Sequence, residues 1–159
     1  MELRNLGSSD IKISPIIMGT WQAGRDMWAD IDDAETTRAI QAAVDAGVNT
    51  IDTAAVYGKG HSERVVGKAV GERRSQVVIA TKVFANHLKY DQVIQSCERS
   101  LKNLKTDYID LYHVHVPDPV TTLEETLRAM DDLVRQGKVR YTGSSMFFGW
   151  QLAKAQGVS

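Results

Sequence analysis

Cysteine is nearly absent, with Cys97 the single one in 159 residues. No internal disulfide can form, and a reducing compartment is the expectation. Long apolar runs are absent too. None approaches the roughly 20 residues of a membrane-crossing helix, and Met1-Glu2-Leu3-Arg4 lacks the apolar core of a signal peptide. Together these absences predict a cytoplasmic protein with no membrane partner. Neither sign of charge is in excess, since 19 Lys and Arg stand against 20 Asp and Glu. A formal net charge of −1 removes the electrostatic case for a nucleic-acid partner. Low-complexity tracts, internal repeats and linkers are missing as well. With 43% hydrophobic and 25% charged residues, the chain reads as one globular domain over 1–159.

What is present is a regular alternation of strands and helices. Residues 3–6 and 11–14 flank the turn Gly7-Ser8-Ser9-Asp10 and predict a hairpin. Pro15, which cannot donate to a ladder, separates it from a strand at 16–20. A loop with two tryptophans follows. Asp32 and Glu35 then form a capping box for a helix carrying Ile40, Ala43 and Val44, with Gly47 as its stop. A strand at 48–52 leads to a helix from Ser62, with Val65, Val66, Ala69 and Val70 on one side and Gly71 at its end. A strand at 77–82 precedes a helix from Asp91, with Ile94, Cys97, Leu101 and Leu104 on one face. A strand at 108–116 runs to Pro117-Asp118-Pro119. The next helix opens with Thr122 and Glu125, buries Leu123, Leu127, Met130 and Val134, and stops at Gly137. A strand at 138–144 and a short helix at 150–156 complete the pattern. Five βα units about thirty residues apart imply an α/β fold with a parallel sheet.

Two architectures suit five such units. One is an open five-stranded, doubly wound sheet. The other is a (β/α)8 TIM barrel, which needs about 250 residues. Length favours the first, but the first βα turn, Gly19-Thr20-Trp21-Gln22-Ala23-Gly24, is no phosphate loop. Side-chain direction favours the second. Strand residues alternate faces, so Asp52 shares a face with Thr50 and Val48. Lys82 shares one with Ala80 and Val78, and His115 one with His113 and Leu111. Each strand carries small or apolar residues first and an ionisable group last, as a packed barrel with a reactive rim requires. Singly, Asp52 is explained as a loop cap, Lys82 as a solvated strand end, His115 as a core histidine and Tyr57 as a surface phenol. Together they place an acid, a phenol, an amine and an imidazole on one rim.

Several motifs then resemble one family. Ile51-Asp52-Thr53-Ala54 with Tyr57-Gly58, Thr81-Lys82, and the run from Asp107 through His115-Val116-Pro117-Asp118 are similar to the aldo-keto reductase superfamily. Gly19-Thr20-Trp21 and Gly143-Ser144-Ser145 agree with it, in the right order along the whole chain. The resemblance implies a (β/α)8 barrel with an amino-terminal hairpin closing its bottom, NADPH as cofactor and a small-molecule carbonyl substrate. It places the catalytic tetrad on Asp52, Tyr57, Lys82 and His115, with no metal. Tyr57 would give the proton to the carbonyl oxygen, and Lys82 would lower the phenol pKa from near 10. Asp52 would hold Lys82, and His115 would orient the substrate. The cofactor set would be Gly19, Thr20, Trp21, Asp52, Ser144 and Ser145, with Thr20 and Trp21 near the nicotinamide ribose and Ser145 at the carboxamide. Met146 stands where relatives often carry asparagine, and His113 where many carry glutamine.

The resemblance covers the first five βα units of eight. A partial barrel would leave a sheet edge uncovered, with self-association as one expectation. Two rival readings remain beside carbonyl reduction. His113 and His115, with Asp52, offer an H-x-H metal site, or Lys82 a Schiff-base amine. Alternatively, the chain is a truncated, inactive reductase module with a binding or assembly role.

Overall fold

The computed structural model describes residues 1–26, 28 and 30–158. Strands β1 (Arg4–Asn5) and β2 (Lys12–Ile13) pair antiparallel as the expected hairpin. Five further strands form one parallel sheet: β3 (Met18–Gly19), β4 (Thr50–Asp52), β5 (Val78–Val83), β6 (Ile109–Val114) and β7 (Val139–Ser144). A helix follows each strand: α1 (Asp33–Asp45), α2 (His61–Val70), α3 (Tyr90–Leu104), α4 (Leu123–Arg135) and α5 (Gly149–Val158).

The spatial order of the sheet is the order of the chain, β3-β4-β5-β6-β7. Right-handed crossovers in unbroken order put every helix on one side. A doubly wound sheet reverses its order at a switch point, so that alternative is excluded. These are consecutive strands of a (β/α)8 barrel, left open between β3 and β7.

The two faces of the sheet bury different things. Outward-facing Ile51, Ile79, Val83, Tyr112 and Val114 meet Ile40, Val66, Cys97, Met130 and Leu133 in the larger core. Inward-facing Val78, Ala80 and Leu111 pack on Ile11, with Leu6, Ile13 and Tyr141 around them. The hairpin thus covers the inner face beside the early residues of the strands, and the late residues stay open as a rim. The alternation of Val78, Ile79 and Ala80 between the two cores is the period of two that the sequence predicts.

Three expectations need correction. The strand at 16–20 shrinks to two residues, because β3 has one ladder partner and Ile16 and Ile17 stay exposed. Helix α4 buries Thr126, Ala129, Met130 and Leu133, while Val134 is exposed. Polar ties turn that face inward: Tyr90 donates its backbone N–H to Glu125 and its hydroxyl to Asp132, and Thr126 donates to the Leu88 carbonyl. Finally, β6 ends at Val114, so His115 stands one residue beyond the ladder.

Candidate active site

The rim collects the four predicted groups. Asp52 ends β4, Lys82 is next to last in β5, His115 follows β6, and Tyr57 sits in the turn between β4 and α2. The Lys82 ammonium donates to both carboxylate oxygens of Asp52 at 2.7 Å and to the Thr53 carbonyl at 2.8 Å. Its three donors are therefore spent. The side chain of Lys82 is 8% exposed and that of Asp52 33%, so the pair is screened unevenly, with its acid end toward solvent.

Tyr57 lies beside this pair without bonding it. The Lys82 ammonium is 5.5 Å from the centre of the phenol ring. Burial, then the Asp52 charge, pushes the Tyr57 pKa up from 10. The expected lowering by Lys82 does not prevail, because burial and the Asp52 carboxylate both disfavour the phenolate. The phenol is thus protonated at neutral pH.

His115 is wedged edge-on between two aromatic rings, Tyr57 at 5.7 Å and Phe84 at 5.6 Å between centroids. Its Nδ1 is buried and makes no hydrogen bond in the structure. Burial, then the Lys82 charge, lowers its pKa from 6.5, opposed by Asp52. His113 lies in register between Lys82 and Gly143. Its pKa is lowered too, by burial first, then Lys82. Both imidazoles are neutral at pH 7. A Cβ on Gly143 would lie 2.8 Å from the His113 Nε2, so glycine there leaves room for the second imidazole.

Three supports of Tyr57 were not read from the sequence. The Gly24 backbone abuts that of Tyr57 and Gly58, where a Cβ on Gly24 would fall 2.8 Å from the Gly58 nitrogen. Asp26 accepts the Gly58 N–H at 2.6 Å. Gly58 itself has φ +58°, in the left-handed region. Two glycines thirty-four residues apart give no local signal of this contact.

The predicted cofactor residues separate into two groups. Trp21 is 44% exposed, edge-on to Trp28 at 4.5 Å and tilted to Tyr57 at 6.3 Å. Gly19 has open space where a side chain would begin. Ser145 follows the end of β7, and its N–H is bonded to the Val114 carbonyl. Thr20, by contrast, is buried, and its hydroxyl donates to the Asp52 carbonyl. Ser144, the last residue of β7, faces away from the side that Tyr141 and Gly143 share. The exposed Trp21 indole and the open space at Gly19 leave room for a flat aromatic group such as a nicotinamide. No group of three or more His, Cys, Asp or Glu side chains among the described residues is arranged to hold a metal ion.

Known proteins share this fold. The chain is 42% identical over 157 residues to the aldo-keto reductase YhdN of Bacillus subtilis, covering 92% of this chain and 47% of that protein. The crystal structure of the thermostable aldo-keto reductase Tm1743 superposes with a TM-score of 0.94 at 41% identity, covering 100% of this chain and 59% of that one. An aldo-keto reductase from Klebsiella pneumoniae, solved in complex with NADPH, gives 0.86 at 34% identity, covering 93% and 51%. The chain spans about half the length of the curated relatives it matches. The aldo/keto reductase family model matches residues 15–158, and the chain belongs to that family.

Proposed function

We propose that this chain carries the catalytic centre of an NADPH-dependent reductase that converts an aldehyde or ketone to an alcohol. The observation that carries this reading is the protonated Tyr57 phenol held between the Asp52–Lys82 pair and the neutral His115. When bound over Trp21 and Ser145, NADPH supplies the hydride. The Tyr57 hydroxyl holds the proton that the carbonyl oxygen takes as the alcohol forms. His115, neutral because it is buried near an ammonium, orients the carbonyl oxygen toward the phenol. Lys82, with its ammonium 5.5 Å from the ring, holds the Asp52 carboxylate and the Thr53 carbonyl in place beside the phenol. The Schiff-base role loses support, since all three Lys82 donors are engaged by Asp52 and Thr53.

The test is Tyr57→Phe in a full barrel carrying this sequence, assayed by NADPH oxidation with a reactive aldehyde. Turnover is expected to drop by at least ~10²-fold, the usual contribution of a positioned general acid. NADPH affinity is expected to stay within about twofold, because the phenol acts in the transition state. Unchanged turnover in the variant would remove Tyr57 as the donor.

A further inference from the structure

The first turn of α2 carries two adjacent polar side chains, Ser62 and Glu63, both fully buried. The Ser62 hydroxyl lies 2.7 Å from the Thr20 carbonyl, 2.9 Å from the Thr20 hydroxyl and 2.9 Å from the Thr53 hydroxyl. Glu63 accepts from the Thr81 hydroxyl at 2.7 Å and from the Asn103 amide at 2.9 Å. Each of these threonines borders the rim. Thr20 precedes Trp21 and donates to the Asp52 carbonyl at 2.9 Å. Thr53 follows Asp52 and lends its carbonyl to Lys82. Thr81 immediately precedes Lys82. One turn of helix therefore grips the ends of β3, β4 and β5 together.

Glu63 is an expensive way to join a helix to a sheet. Burying an acid against two neutral donors is disfavoured relative to an amide or an apolar side chain. Nor is it needed to hold α2 to α3. Their backbones already meet at Gly67, where a Cβ would fall 2.5 Å from the Leu104 carbonyl oxygen. What Glu63 adds is a fixed anchor for Thr81, one residue from the ammonium.

We propose that Ser62 and Glu63 are positioning residues that set the Asp52–Lys82 pair against Tyr57. Ser62 ties the end of β3 to the end of β4, and Glu63 fixes the end of β5. Neither touches the substrate. The inference rests on the tetrad reading above.

Two measurements test it, one of them independent of turnover. The first is the Tyr57 phenol midpoint, taken as the ultraviolet difference between each variant and the same variant carrying Tyr57→Phe. Thr81→Val and Glu63→Ala are expected to move the midpoint down toward 10 as the rim opens around the phenol and Asp52 loosens from it. Glu63→Gln is expected to restore it, since the amide oxygen still accepts from Thr81 and Asn103 can rotate its amide. Asn103→Ala is expected to lower the melting temperature without moving the midpoint. The second measurement is turnover in a full barrel, where Thr81→Val and Glu63→Ala should lose ~10²-fold in kcat with KM within about twofold. A wild-type midpoint and kcat in both variants, with only the melting temperature lowered, overturn the inference. If Glu63→Ala does not fold, the isosteric Thr81→Val decides alone. Failure of the tetrad reading is distinguishable, since Tyr57→Phe would then keep its turnover. An inactive Tyr57→Phe beside a fully active Thr81→Val would sink this inference only.

Discussion

At the residue scale, the rim works by neutrality as much as by charge. Two imidazoles, a phenol and an ammonium already matched by a carboxylate surround the open space above the sheet. The histidines make this measurable. Unfolded, each imidazole titrates near 6.5, and in the fold burial and the Lys82 ammonium depress both, against the pull of Asp52. Between the depressed values and 6.5 the unfolded chain binds more protons, so stability climbs with pH there. It is complete above 6.5 and drains as the pH falls through the folded values. Urea midpoints taken on both sides of 6.5 should show this fall, and His113→Gln with His115→Gln should flatten it. An equally steep fall in the double variant would mean that other groups carry it. The direction of the Tyr57 shift was not legible in the sequence. The resemblance puts Lys82 beside the phenol and Asp52 on Lys82, but the burial of the phenol and the Thr53 carbonyl that takes the third Lys82 donor appear only in the fold.

At the element scale, the helix–strand alternation was legible because buried stripes have fixed periods. The stripe of α2 is buried as expected, at Val65, Val66, Ala69 and Val70. The N-cap side chains of α1 and α4 are Asp32 and Thr122, each accepting from the backbone three residues on. Contacts between elements were not legible. Asp110, buried under Arg74 at 2.7 Å and accepting the Ile79 N–H at 3.0 Å, lies in an apolar strand and draws its partners from other units. The Gly24–Gly58 contact is of the same kind, and it supports a prediction. Gly58→Ala would set a side chain against the Gly24 carbonyl at a φ of +58°. The loop that bears Tyr57 must then lift. The core is remote, so the far-ultraviolet circular dichroism should be unchanged, while kcat drops by ~10²-fold, the scale of a small misplacement of a reacting group. Wild-type kcat would show that the loop relaxes without moving the phenol.

At the scale of the whole molecule, the fold is an arc with two free edges. Ile16 and Ile17 lie exposed beside β3, and Met146, Phe148, Trp150 and Leu152 beyond β7. Exposed apolar residues along unpaired strands invite association. The 159-residue chain on its own is expected to sediment as concentration-dependent oligomers, and Trp150→Glu should shift it toward the monomer. A single monomeric species at every concentration would refute this. The same arc has a further consequence. All four rim groups fall between Asp52 and His115, on three neighbouring units, and their supports at Thr20, Gly24, Ser62 and Glu63 fall within the first three. On the reductase reading proposed above, the chemistry is therefore carried on one contiguous block of sequence. Recombination with a sibling's later units could change which molecules the pocket admits and how tightly the dinucleotide is gripped, while the proton-handling machinery crosses over whole.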